Sequence, residues 1–211
     1  MNHIKNIIFD LGGVIINLDP ARTRNAFTQL GFRNFDALYS FAQQSGTFDL
    51  FDKGLMSNTE FRSEMRKYIS TEVTDVEIDA AWNAMLLDVP AEKIELLQHL
   101  KSRYRTFLLS NTNRIHVECF SAELERVHGS KDFSPWMERC YYSCDIGMRK
   151  PDEEIFRFVL KENNLVAEET LFIDDSIQHI SGANRCGLET LHFIPGESLQ
   201  ARLENIGVSW I

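Results

Sequence analysis

The sequence predicts an α/β fold, a parallel sheet flanked by helices and interrupted by an inserted helical cap. Three observations carry that prediction. Short apolar runs alternate with amphipathic segments of helical period, the order that builds a parallel sheet. The runs Ile7-Ile8-Phe9, Phe107-Leu108-Leu109 and Leu171-Phe172-Ile173 are apolar without a break, as strands covered on both faces require. Residues from about 17 to about 89 hold no good strand and read as helices.

The strand candidates are residues 6–10, 106–110, 139–143, 170–174 and 189–193. The first ends on Asp10 and opens into Leu11-Gly12-Gly13-Val14. A buried strand that stops on a carboxylate followed by two glycines serves no folding need. It presents one oxygen at the lip of a sheet. Within the insertion, Asp19-Pro20 fits an N-cap followed by proline at the first helical position. Ser57-Asn58-Thr59-Glu60 is a capping box, with Phe61, Met65 and Tyr68 following at helical spacing. Thr74-Asp75-Val76-Glu77 is a second, followed by Ile78, Ala81, Trp82 and Met85. Two boxes with matching apolar faces predict a small bundle. The expected division is a core of residues 1–16 and 90–211 and a cap of residues 17–89, placed to cover the strand end at Asp10.

With 211 residues and 44% hydrophobic content, the chain can bury one substantial core, or a core and a small second lobe. A net charge of −9 and scattered basic residues argue against nucleic acid, whose backbone rewards clustered cations. No segment approaches the roughly 20 apolar residues of a membrane span. The three-residue apolar run before Asp10 is too short for a signal peptide. Cys119, Cys140, Cys144 and Cys186 form no CxxC pair and read as reduced thiols. The expectation is a soluble cytoplasmic protein, monomer or homodimer, with neither nucleic-acid nor membrane partners.

Ligands of open α/β sheets bind beyond the carboxyl ends of the strands. Four polar groupings fall there: Asp10, Ser110-Asn111, Lys150 within Arg149-Lys150-Pro151, and Asp174-Asp175-Ser176. Three carboxylates in one cleft cannot all ionise without a compensating cation. Oxygen donors select a hard metal, and Mg2+ tolerates few protein ligands plus waters. With the positive charge of Lys150 and the neutral donors of Ser110 and Asn111, such a site suits a dianionic group such as phosphate.

These four stretches, in this order and with a helical insertion after the first, resemble the haloacid dehalogenase-like superfamily over almost the whole chain. The matching motifs are Phe9-Asp10-Leu11-Gly12-Gly13-Val14, Leu109-Ser110-Asn111, Gly147-Met148-Arg149-Lys150-Pro151 and Phe172-Ile173-Asp174-Asp175-Ser176. The second and third look most like the branch of small sugar-phosphate phosphatases. The resemblance implies a Rossmann-like core and a Mg2+-dependent phosphatase of a small phosphorylated metabolite. Asp10 would be the nucleophile. Asp10, Asp174, Asp175 and the Gly12 carbonyl would hold the metal. Ser110 and the Asn111 amide would hold phosphate, and Lys150 would neutralise charge.

Two positions depart from the family pattern. Gly12 stands where most phosphatases of the family carry a second Asp, the general acid. Either the substrate has a good leaving group, such as a sugar 1-phosphate or acyl phosphate, or another residue supplies the proton. Asp19, Asp49 and Asp52 are candidates, though Asp19 also reads as a helix cap and the other two as solvated loop charges. His179 replaces Asp or Asn. It either bonds Ser176 or Lys150 or is a plain half-buried helix residue. Arg149 reads equally as a phosphate contact or a surface residue. Two other function classes compete: metal-independent dehalogenation, which would have little use for Asp174-Asp175, and non-catalytic binding of a phosphorylated ligand, which only Gly12 favours.

Overall fold

A computed structural model describes residues 3–32 and 46–209 of the chain. Five parallel strands form one sheet in the order β3-β2-β1-β4-β5: β1 (Asn6–Phe9), β2 (Arg105–Ser110), β3 (Arg139–Tyr142), β4 (Thr170–Asp174) and β5 (Glu189–His192). Each lies within one residue of the apolar run that predicts it. β3 stops short because Ser143 begins a helix.

Alternation along the strands feeds two separate cores. Ile7 and Phe9 point to one face, where they join Leu108, Leu171, Ile173 and Leu97 of α5 (Ala91–Lys101). Ile8 points to the other and joins Phe107, Leu109, Phe172 and Phe156. Both faces are covered, so a polar residue at either would be buried without a partner. That is why the strands read as unbroken apolar runs.

Between β1 and β2 the described residues form α1 (Pro20–Gln29), α2 (Thr47–Asp52), α3 (Asn58–Arg66) and α4 (Asp75–Asn83), ahead of α5. Asp19 caps α1 by accepting the Ala21 N–H at 3.1 Å, with Pro20 at the first position. Both capping boxes form. Ser57 and Glu60 cap α3, and Thr74 and Glu77 cap α4. The four helices enclose a third apolar cluster, separate from those on the sheet, that contains Phe27, Phe51, Phe61, Met65, Ile78 and Trp82. The Phe51 and Phe61 rings stack at 4.1 Å. Among the described residues, only Ile115 of α6 (Arg114–His128) enters this cluster from beyond β2. Residues 33–45 of the expected cap lie outside the described residues.

The remaining helices are α7 (Ser143–Ile146), α8 (Glu153–Glu162), α9 (Ile177–Arg185) and α10 (Leu199–Asn205). From β1 the chain steps outward through β2 and β3, then crosses back to β4 and β5. The direction of winding reverses at β1, and a crevice opens beyond its carboxyl end.

Candidate active site

Strand register brings the predicted residues together. Phe9 lies level with Leu108 on one side and Ile173 on the other, and the Asp10 N–H bonds the Ile173 carbonyl at 2.8 Å. Asp10 and Asp174 therefore leave adjacent strands at one height, and Ser110 ends the strand on the other side one residue further along.

Lys150 is their hub. Its side chain is fully buried, and Nζ donates to Asp10 Oδ1 at 2.7 Å and to Asp174 Oδ2 at 2.6 Å. Nζ also lies 5.3 Å from the centre of the Phe172 ring. A buried ammonium is tolerable only when paired this fully. The Lys150–Pro151 peptide is cis.

Asn111 sets the lysine's position. Its Nδ2 donates to the Lys150 carbonyl at 2.8 Å, and its Oδ1 accepts the Lys150 N–H at 2.9 Å. The Asn111 side-chain amide, expected to face phosphate, thus holds the lysine's backbone instead. Ser110 is buried against the same crevice. Ser143 braces the next residue, donating to the Thr112 carbonyl and accepting its N–H.

Asp174 is fully buried and its carboxylate is saturated. Oδ1 accepts the Ser176 N–H at 2.8 Å and the His179 Nδ1–H at 2.9 Å, while Oδ2 takes Lys150. His179 therefore orients Asp174, and not Ser176 or Lys150 as its place in the sequence suggested. Burial works to raise the Asp174 pKa, but Lys150 and His179 prevail and hold it below the usual range. Asp10 goes the other way. Burial above all, with the Asp174 charge, raises it to about 7 against the pull of Lys150. Asp175 is half-buried, with its pKa raised by burial and by Asp174. One oxygen from each of Asp10, Asp174 and Asp175 lies within 4.8 Å of the others.

Both glycines after Asp10 have a structural reason. Gly13 sits at φ +75°, and a Cβ there would fall 2.3 Å from Asp175 Oδ2. Its hydrogen is what admits the third carboxylate. Gly13→Ala is expected to cost about 1–3 kcal/mol in urea unfolding, from the positive φ and the displaced Asp175. A wild-type midpoint would contradict this packing. At Gly12, a Cβ would meet Leu18 Cδ1 at 2.7 Å.

Beyond these residues lies a cavity of about 630 Å³. Gly12, Ser110 and Lys150 form its floor, and Phe48, Asp49, Asp52, Trp82 and Met85 line it from the helical insertion. Phe51 and Phe61 are wholly core, whereas Phe48 and Trp82 serve both core and wall. Asp49 and Asp52 are not solvated loop charges. They belong to α2 and face Arg149, at 3.0 Å and 3.7 Å respectively. Arg149 accordingly joins the cavity wall to the insertion. Asp19 caps its helix outside the cavity.

Sequence reading passed over His116 and Asn113. The His116 ring stacks on Trp82 at 5.1 Å, and its Nδ1–H donates to Asn83 Oδ1. Burial pushes its pKa down to about 3, so it is neutral. Asn113 caps α6 while accepting the Trp82 indole N–H at 3.3 Å. The Asn-x-x-His pattern at a helix start signals only the cap. The cavity face emerges when Trp82 arrives from 31 residues away.

This fold and site are those of a hydrolase built on a Rossmann-like parallel sheet. Residues 4–187 match the haloacid dehalogenase-like hydrolase model, and the chain belongs to that family. A D-ribitol-5-phosphate phosphatase of Bacteroides thetaiotaomicron is 33% identical over 187 residues, covering 89% of this chain and 90% of that protein. A wild-type enzyme of the same family from that organism, solved with magnesium and inorganic phosphate, superposes with TM-score 0.87 at 37% identity, covering 94% and 98% of the two chains. A family hydrolase from Porphyromonas gingivalis gives TM-score 0.86 at 31% identity, covering 97% and 98%. None of the described helices is long and apolar enough to cross a membrane.

Proposed function

We propose that the protein is a Mg2+-dependent phosphatase of a small phosphorylated sugar or polyol, working through an aspartyl-phosphate on Asp10 under a cap formed by residues 17–89. The observation that carries this is the three-carboxylate cluster around one buried lysine. Three carboxylates and one ammonium leave an excess of negative charge in a buried place. An all-oxygen donor set of this size fits Mg2+. When bound, the metal supplies positive charge to the transferring phosphoryl group.

The residues divide the remaining work. Asp10, Asp175 and the Gly12 carbonyl would hold the metal, and Asp174 contributes chiefly by fixing Lys150. Asp10 Oδ attacks phosphorus and is released when water attacks the same atom. Lys150 offsets charge on Asp10 and on the phosphoryl oxygens, while the Ser110 hydroxyl donates to one of them. Asn111 and His179 keep the lysine and Asp174 in register. The enclosed cavity favours a small substrate over a phosphoprotein. The relative's activity on D-ribitol 5-phosphate supports a polyol or sugar phosphate.

The test is phosphate release across a few dozen phosphorylated metabolites, D-ribitol 5-phosphate included. Turnover is expected with Mg2+, lost on chelation and restored by re-adding the metal. Thermal midpoints should rise with Mg2+, by the equivalent of about 2.7 kcal/mol at a hundredfold excess over Kd. Undiminished phosphate release after chelation, halide release without metal, or silence across the panel would each refute the reading.

A further inference from the structure

We propose that Asp52, at the end of α2, donates the proton to the leaving oxygen and later takes one from the attacking water. The proposal rests on the phosphatase reading above and assigns the task that Gly12 cannot perform. Position 12 is a glycine with no side chain to carry a proton, and the Leu18 Cδ1 methyl lies 2.7 Å from where a Cβ would be.

The cavity supplies the geometry. An in-line displacement puts the leaving oxygen on the far side of phosphorus from the attacking one. Asp10 attacks from the sheet, so the leaving oxygen faces the wall built by the helical insertion. Among the described residues of the insertion, Asp49 and Asp52 are the carboxylates on that wall. Asp19 is not on it and is engaged in capping α1.

Asp49 and Asp52 are three residues apart, yet their surroundings differ. The Asp49 side chain is 40% exposed and sits 3.1 Å from Lys53 and 3.0 Å from Arg149. These cations hold it below the usual carboxylate range. The Asp52 side chain is 20% exposed, with Arg149 at 3.7 Å and a hydrogen bond from the Asn113 amide. Burial outweighs both and, with the Asp49 charge, raises its carboxyl to about 6. Among the described residues, the other titratable groups lining the cavity are neutral His116, Asp152 and, on the floor, Lys150. Two carboxyls driven apart by their environments mark an acid and a spectator.

The chemistry balances. As Asp10 Oδ bonds phosphorus, the bond to the ester oxygen breaks and that oxygen takes the Asp52 proton. Water then attacks phosphorus, passes a proton to the Asp52 carboxylate, and the phosphorus–Asp10 bond breaks. Asp52 ends protonated and Asp10 free.

The test compares D-ribitol 5-phosphate, whose alkoxide leaves poorly, with p-nitrophenyl phosphate, whose phenolate needs no proton. Asp52→Asn keeps the shape and the Asn113 contact. It should lower kcat/KM on the alkyl ester about 100- to 10,000-fold. On the aryl ester kcat/KM, which reports only the step that releases the leaving group, should stay within about tenfold of wild type, while kcat falls and p-nitrophenolate appears as a burst because water attack on the phosphoenzyme has lost its base. On the alkyl ester, wild-type kcat/KM should fall as pH rises through about 6, and that limb should vanish in the variant. Asp52→Glu should restore part of the alkyl activity, and Asp49→Asn should show no leaving-group dependence. Equal losses of kcat/KM on both esters, or none on either, would overturn the proposal. If the wild type cleaves neither ester nor any of the wider panel, the phosphatase reading fails first and takes the proposal with it.

Discussion

Lys150→Met is expected to remove both the activity and a large part of the stability. The lysine is fully buried, and among the described residues its two short hydrogen bonds are the ammonium contacts of Asp10 and Asp174. Methionine fills similar volume but leaves two carboxylates facing each other. Breaking a buried ion pair by removing one partner costs about 3–5 kcal/mol. Urea unfolding of the chelated protein should show a loss of that size. Saturating Mg2+ should recover part of it, because the metal binds the same carboxylates in the native state alone. Activity should fall by more than about 1,000-fold, since charge on the phosphoryl group loses its fixed counter-ion. Lys150→Arg should not rescue, because a planar guanidinium cannot occupy a space closed around an ammonium. A Lys150→Met protein with wild-type urea midpoint and activity within tenfold would show that the lysine is not the hub.

The strands and the charged centre could be read in advance for one reason. Burial on both faces forces unbroken apolar runs, so Asp10, Lys150 and Asp174 stand out where such runs end or turns follow. The caps of α1, α3 and α4 were equally plain, since Asp19, Ser57 and Thr74 bond to backbone within three residues of themselves. What escaped depends on direction and not identity. His179 could reach several neighbours from one helical turn away, and only the path of the chain from β4 into α9 aims its Nδ1 at Asp174. Asn111 holds a backbone 39 residues distant, a pairing that local pattern does not encode. Asp49 and Asp52 look alike in sequence. Arg149, approaching from beyond β3, separates them into a well-paired surface charge and a half-buried one.

Asp10→Asn should separate function from folding most sharply. The amide is isosteric, and its Oδ1 can still accept from Lys150, which also keeps Asp174. What disappears is the nucleophilic oxygen and one of three crowded negative charges. Removing an essential nucleophile costs on the order of a million-fold in kcat where it has been measured in a hydrolase, so phosphate release should fall below detection. Stability should move the other way. Burial and Asp174 already oppose ionisation of Asp10, as its raised pKa records. A neutral side chain escapes that penalty, so the chelated variant should melt no lower than the chelated wild type near pH 7. Mg2+ should stabilise it less, because one of its proposed ligands has lost its charge. Retained turnover in this variant would remove Asp10 as the attacking group. A large loss of melting temperature without metal would mean that the ionised Asp10–Lys150 pair holds the fold together. The carboxylate cluster would then be a structural ion-pair network and not a metal site.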